Sequence, residues 1–412
     1  MRVDIRYGRD GCESVHIPEE RFIGTFQPNE VLSRPAEEEI GAALNSPFGG
    51  ESIESFLEGG EDILFIVNDG TRPTPTAAVL KALSKRVDLG KARFLVATGT
   101  HREPTEEEYQ MIFGDLLDEL RGRIYSHDSV NDPMVDLGRS KNGTPMEVNK
   151  MAVDADRLII ITSVEPHYFA GYTGGRKSFM PGVASYRSIE INHKMAMRPE
   201  AQALVLEGNP VHEDMMDALE VVDKRIFSVQ VVLDRHQDVY RAAAGELHQA
   251  FFQAVEWANE VFSVDIPEKA DVVISVAPYP MDVDLYQSQK ALDNGKWALK
   301  EGGTIIMVSK CREGVGQDAF LDQLCSCADP RELIERLNLE YRLGYHKAAK
   351  MAEISTWAKV SAVTDLDPEL MERAGLRPFP SVQAALRAAC EENPGARILV
   401  LTDGSITIPR VR

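Results

Sequence analysis

Short apolar runs rich in β-branched residues alternate along the chain with segments whose apolar positions recur at helical spacing. In the first half the runs are DILFIVND (62–69), ARFLVATGT (92–100), DRLIIITSV (156–164) and RIFSVQVVLD (225–234). Between the first two, Thr74 and Pro75 read as the N-cap and first residue of a helix continuing through residue 87. Thr105 and Glu108 form a capping box that opens EEEYQMIFGDLLDEL. The amphipathic segment ELHQAFFQAVEWANEVF closes this half, and the polar SVDIPEKAD (263–271) reads as a linker. The alternation then restarts with DVVISVAP (271–278), a helix over 288–299, GTIIMVS (303–309), KVSAVTDL (359–366), a helix near 381–391 and ARILVLTDG (396–404). This order predicts an α/β protein of two domains with mostly parallel sheets, residues 1–265 and 270–412, with an active-site cleft between them.

Length supports that division, since 412 residues exceed one typical core. A hydrophobic content of 43% with 27% charged residues is that of a globular protein in water. The formal charge of -20 argues against nucleic acid as a partner, so any anion has to be caught by a few placed cations. No run approaches the ~18 apolar residues that span a bilayer, and the start MRVDIRYGRDG has no signal-peptide pattern. A cytoplasmic protein without a membrane partner is therefore expected. The cysteines, Cys12, Cys311, Cys325, Cys327 and Cys390, have no C-x-x-C spacing and indicate neither a disulfide framework nor a zinc site.

In open α/β sheets, ligands bind beyond the carboxyl ends of the strands. Those positions here hold Asp69-Gly70-Thr71-Arg72, Gly99-Thr100-His101-Arg102 and Glu165-Pro166-His167. The stretch EPHYFAGYTGGRKSFMPG (165–182) then supplies a glycine turn with Lys177. A phosphate loop needs glycine immediately before the lysine, and Arg176 stands there, so a nucleoside triphosphatase is disfavoured. A glycine turn presenting a cation to an anionic ligand remains. Each residue alone has a plainer reading: Asp69 with Arg72 as a turn-stabilising pair, His101 as a polar rim residue. Their convergence on one rim is what points to a site.

Two histidines facing a substrate suit inversion of a stereocentre, because one imidazole takes a proton while the other gives one. The Cα-H of a hydroxy acid is too weakly acidic for unaided abstraction, so a hydride acceptor is needed, and no G-x-G-x-x-G follows the first strand to bind a dinucleotide. His193 suits a metal whose other ligands come from a cofactor, and Lys177 suits covalent attachment. Chemistry alone does not choose among these.

DGTRP (69–73), ATGTHR (97–102), HYFAGYTGGRKSFMPG (167–182), INH (191–193), GNPVHEDM (208–215), YQSQKAL (286–292) and GYHKA (344–348) resemble the nickel-dependent lactate racemase family of 2-hydroxyacid racemases and epimerases. The resemblance implies a nickel-pincer nucleotide, a pyridinium-3-thioamide-5-thiocarboxylic acid mononucleotide, held covalently by Lys177 with His193 as nickel ligand. It implies His101 and His167 as the acid/base pair, Asp69 and Arg72 near the cofactor, and Arg72, Tyr286, Gln287 and Lys290 at the substrate. The implied reaction moves hydride from C2 of a small 2-hydroxy acid and back through a 2-oxo acid, and cofactor-maturation proteins are the implied partners. The alternatives are a non-catalytic carrier of the same cofactor and an NAD-dependent dehydrogenase.

Overall fold

The structure, a computed structural model, describes every residue from Met1 to Arg412. The chain divides into two compact units, Glu30–Val261 and Met1–Asn29 with Phe262–Arg412. The first unit holds a six-stranded sheet built from β1 (Ile63–Asn68), β2 (Ala92–Ala97), β3 (Ile124–Ser126), β4 (Arg157–Ser163), β5 (Ile226–Leu233) and β6 (Val239–Glu246). Their order is β6-β5-β4-β1-β2-β3, all parallel except for β6, which runs antiparallel to β5. The near-continuous apolar runs follow from burial on both faces. Phe65, Val67, Phe94, Val96, Ile159 and Ile161 pack on one side, and the alternate residues Leu64, Ile66, Leu95, Leu158 and Ile160 pack on the other.

The helices that matter for the site are α1 (Thr76–Ser84), α2 (Glu106–Phe113), α3 (Tyr186–Lys194) and α4 (Pro210–Val222), with α5 (Leu247–Phe262) closing the unit. The capping box of Thr105 and Glu108 opens α2, but Gly114 with positive φ ends that helix early. Thr74 does not cap α1, which begins after Pro75 without a side-chain cap and stops at Ser84 rather than 87. The Thr74 hydroxyl instead lies 2.7 Å from Asn68 Oδ1 and 2.8 Å from Ser163 Oγ, bridging the ends of β1 and β4. Those polar partners at the strand ends outcompete a cap.

In the other unit β7 (Ala270–Val276), β8 (Leu299–Val308), β9 (Lys359–Val363), β10 (Arg377–Pro378) and β11 (Ile398–Leu401) form a parallel sheet in the order β10-β9-β8-β7-β11. Its sixth strand is Phe22–Phe26, added beside β11, and the hairpin Arg2–Tyr7 with Gly11–His16 packs its apolar side into the same core. The first domain expected over 1–265 is therefore corrected at its start, because residues 1–29 fold with the second unit. The polar run read as a linker is corrected too: Ser263–Ile266 pairs as a parallel strand with Ile408–Val411, using period-2 burial of Val264 and Ile266. Between β7 and β8 lies α6 (Leu285–Gly295), begun by Asp284, whose carboxylate accepts from Gln287 N at 2.6 Å.

Candidate active site

Asp69, His101 and Glu165 follow the carboxyl ends of β1, β2 and β4. The Asp69 carboxylate is 6% exposed, and His101 Nδ1 lies 2.7 Å from its Oδ2 while the Thr71 hydroxyl donates to Oδ1 at 2.8 Å. An acceptor at Nδ1 fixes the neutral imidazole as the Nδ1-H tautomer, so the lone pair of His101 is on Nε2. The expected pairing of Asp69 with Arg72 does not form through side chains. Arg72 reaches Glu165 Oε1 at 3.4 Å instead, because Asp69 is committed beneath His101.

His167 has the complementary arrangement. Its Nδ1 accepts from the Ala170 amide at 3.3 Å, which puts the proton of the neutral ring on Nε2. The turn that makes this contact requires Gly171, with φ of 75°, where a Cβ would stand 2.3 Å from the Val205 carbonyl oxygen. One histidine thus carries a lone pair at Nε2 and the other a proton at Nε2, the resting states of a base and an acid.

Phe169 gathers the rest. Its ring lies 4.6 Å from the His167 ring edge-on, 5.1 Å from the His193 ring, and 5.7 Å from Lys177 Nζ. Lys177 sits in the short turn Gly175–Ser178, with its amide bonded to Gly174 O at 3.1 Å and its carbonyl to Gly182 N at 2.9 Å. The Gly99 amide donates to the Gly182 carbonyl at 3.0 Å, tying the loop of His101 to the loop of Lys177. Part of the lysine residue remains accessible, but its amine is desolvated. Burial, followed by the guanidinium groups of Arg72 and Arg176, pushes that amine well below the usual lysine value, with Glu165 opposing. His193, near the end of α3, places Nδ1 3.1 Å from Asn192 Oδ1.

Family models described as the lactate racemase N-terminal domain and the lactate racemase C-terminal domain match residues 7–204 and 266–408. A lactate racemase of Thermoanaerobacterium thermosaccharolyticum is 32% identical over 424 residues, covering 99% of each chain. One of Lactiplantibacillus plantarum is 33% identical over 422 residues, covering 98% of each. The chain belongs to the lactate racemase family. It is an isomerase, a racemase. The solved lactate racemase apoprotein from T. thermosaccharolyticum superimposes with a TM-score of 0.92 at 32% identity, covering 100% of both chains. A Thermotoga maritima protein, at 19% identity and a TM-score of 0.67 over 92% of this chain and 100% of its own, shares the fold alone.

Of the racemase residues expected from sequence, Asp69, Arg72, His101, His167, Lys177 and His193 lie in the first unit. Tyr286, Gln287 and Lys290 lie in the other unit, on the first turns of α6. There Lys347 Nζ is 3.4 Å from the centre of the Tyr286 ring and donates to the Tyr286 carbonyl at 2.8 Å. Burial pushes the Tyr286 hydroxyl up to about 12. Lys347 belongs to GYHKA, a motif that gave the resemblance without assigning this residue a role.

Arg176 carries a role that its sequence context does not signal. The GRK sequence suggests exposed basic residues, yet Arg176 is 1% exposed. It donates to the carbonyls of Ala170 (2.7 Å), Thr173 (3.1 Å) and Gly174 (3.2 Å) and to His212 Nδ1 (3.0 Å), with its guanidinium over the Phe251 ring. Burial lowers its value to about 9, so it stays charged at neutral pH, and burial with the Arg176 charge lowers His212 to about 3, so that ring stays neutral and accepts. Arg176 thus clamps the carbonyls of the turn that presents Lys177. Arg176→Met leaves the buried His212 Nδ1 without its donor and takes one donor from each of the Ala170, Thr173 and Gly174 carbonyls, and one buried group left unpaired costs about 1–3 kcal/mol. The expected result is a melting temperature lower by about 5 °C or more. Calorimetry checks it, and an unchanged Tm contradicts the clamp.

Proposed function

We propose that this racemase inverts C2 of a small 2-hydroxy acid, lactate or a larger relative, with His101 and His167 as the acid/base pair. The observation that carries the reading is Phe169, whose one ring touches His167 and His193 and faces the Lys177 amine. The Asp69–His101 pair supports it by holding a base whose lone pair is on Nε2.

The chain's donors fit the nickel-pincer nucleotide. No cluster of three or more His, Cys, Asp or Glu side chains is arranged to hold a metal, so a metal at His193 draws its other ligands from a bound group. A desolvated amine pushed well below the usual lysine value suits covalent linkage, which Lys177 would supply. When bound, the group supplies an acceptor that takes hydride from C2 and returns it. Arg72 is suited to hold the substrate carboxylate, and Tyr286, Gln287 and Lys290 remain the proposed further substrate contacts.

On this reading one histidine removes the C2 hydroxyl proton as the carbonyl of the 2-oxo acid forms, and the other returns a proton to that oxygen after the planar carbon has presented its opposite face. Asp69 stabilises the imidazolium that His101 becomes when it has taken the proton. Proteins that build and load the nucleotide are the proposed partners. No helix is long and apolar enough to cross a membrane, which fits the proposal that it works in the cytoplasm.

The test is chiral chromatography on cofactor-loaded protein given one enantiomer of lactate and, separately, of larger 2-hydroxy acids. Conversion of a single enantiomer to an equal mixture is expected for at least one of them. No conversion, with a loaded control enzyme active, contradicts the reading.

A further inference from the structure

The segment GNPVHEDM opens α4, and none of its side chains has a place in the chemistry above. Three of them nonetheless reach the groups that do. Asn209 caps the helix with Oδ1, and its Nδ2 donates to the Phe169 carbonyl at 2.9 Å. His212 accepts from Arg176. Asp214 accepts from Asn192 Nδ2 at 3.1 Å, and Asn192 in turn offers Oδ1 to His193 Nδ1 at 3.1 Å.

This last chain of contacts has a fixed polarity. Asn192 Nδ2 faces two acceptors, Asp214 Oδ2 and the Val211 carbonyl at 3.4 Å, so the amide cannot be reversed without losing both. Its oxygen therefore faces His193, and His193 Nδ1 is the donor. A neutral imidazole with its proton on Nδ1 has its lone pair on Nε2. Asp214 and Asn192 are both fully buried, and the second oxygen of Asp214 has no hydrogen-bond partner. A buried carboxyl oxygen left unpaired weakens the fold, so stability alone does not account for an aspartate at this position.

We propose that Asp214 is a positioning residue for His193, acting through the Asn192 amide to hold the imidazole as the Nδ1-H tautomer with its Nε2 lone pair available to a metal. The proposal rests on His193 being the metal ligand, as read above. Asn209 and His212, on the same helix start, hold the backbone of Phe169 and the clamp on the Lys177 turn, so one helical turn orients all three parts of the site. Without Asp214 the weaker Val211 contact alone holds the amide. Asn192 then turns to offer Nδ2 to His193, and the ring proton moves to Nε2, where it blocks metal binding.

Nitrogen NMR of cofactor-free protein labelled at histidine nitrogens tests this at about pH 8, where an ordinary imidazole is neutral. The His193 signals are assigned by their loss in His193→Gln. The expected result is a protonated Nδ1 in the unaltered chain, transfer of the proton to Nε2 in Asp214→Leu, and the original pattern in Asp214→Asn, whose amide oxygen still accepts. After loading, nickel retention falls about 10–100-fold in Asp214→Leu and recovers in Asp214→Asn. If Asp214→Leu does not fold, Asn192→Leu, which removes the acceptor directly, is examined in the same way. An unmoved proton overturns the proposal while leaving His193 as the ligand. A moved proton with undiminished nickel overturns the ligand assignment itself, and the proposal with it.

Discussion

Lys177→Ala is expected to carry no cofactor adduct and to have no racemase activity, while folding as well as the unaltered chain. The fold tolerates the change because the Lys177 amine is desolvated beside two guanidinium groups, so removing it relieves an unfavourable burial. Activity is lost because residues 174–182 contain no other lysine to take its place. Lys177→Arg is expected to fail equally, since a guanidinium is not a nucleophile at neutral pH. Mass spectrometry of the peptide spanning 165–187, with activity and Tm on the same sample, checks all three outcomes. Activity at the level of the unaltered chain in Lys177→Ala removes the attachment role.

The second large effect concerns the histidines. His101→Gln and His167→Gln are each expected to lower racemisation by about 10²–10⁴-fold. Enantiomers have equal free energy in water, so the equilibrium constant is unity and kcat/KM falls by the same factor in both directions. The half-reactions separate what the full cycle cannot. Each variant is expected to oxidise only one enantiomer to the 2-oxo acid, and the two variants are expected to prefer opposite enantiomers. Trapping the oxo acid with a hydrazine reagent measures this. If both variants oxidise the same enantiomer, the two histidines do not work from opposite faces.

Much of the fold and the family is legible in the sequence. Strand ends are marked by where apolar runs stop, and α/β sheets place ligands there, so position and residue type together single out Asp69, His101 and His167 as candidates. What was lost depended on partners distant in sequence. Thr74 has the sequence of an N-cap, but Ser163, on another strand, takes its hydroxyl. Arg176 has the sequence of a surface cation, and only the closing of the turn by Ala170 and Thr173, with α4 supplying His212, makes it a buried clamp. SVDIPEKAD is polar enough to pass for a linker, and its pairing partner lies at the far end of the chain in Ile408–Val411. Residues 1–29 joined the second unit for the same reason, since Phe22–Phe26 pairs with β11. Local pattern carries propensity and caps, whereas strand partners and buried polar networks are set by tertiary contacts.

The central claim is inversion through hydride transfer with two histidines moving only the hydroxyl proton. Its most direct test starts from a single enantiomer of C2-deuterated lactate, or of whichever 2-hydroxy acid proves to be the substrate, with loaded protein in ordinary water. The account predicts the opposite enantiomer with its deuterium retained at C2, because the hydrogen on carbon never exchanges with solvent. Opposite enantiomer carrying solvent hydrogen at C2 would show that the histidines abstract the carbon-bound proton directly, and would contradict the account.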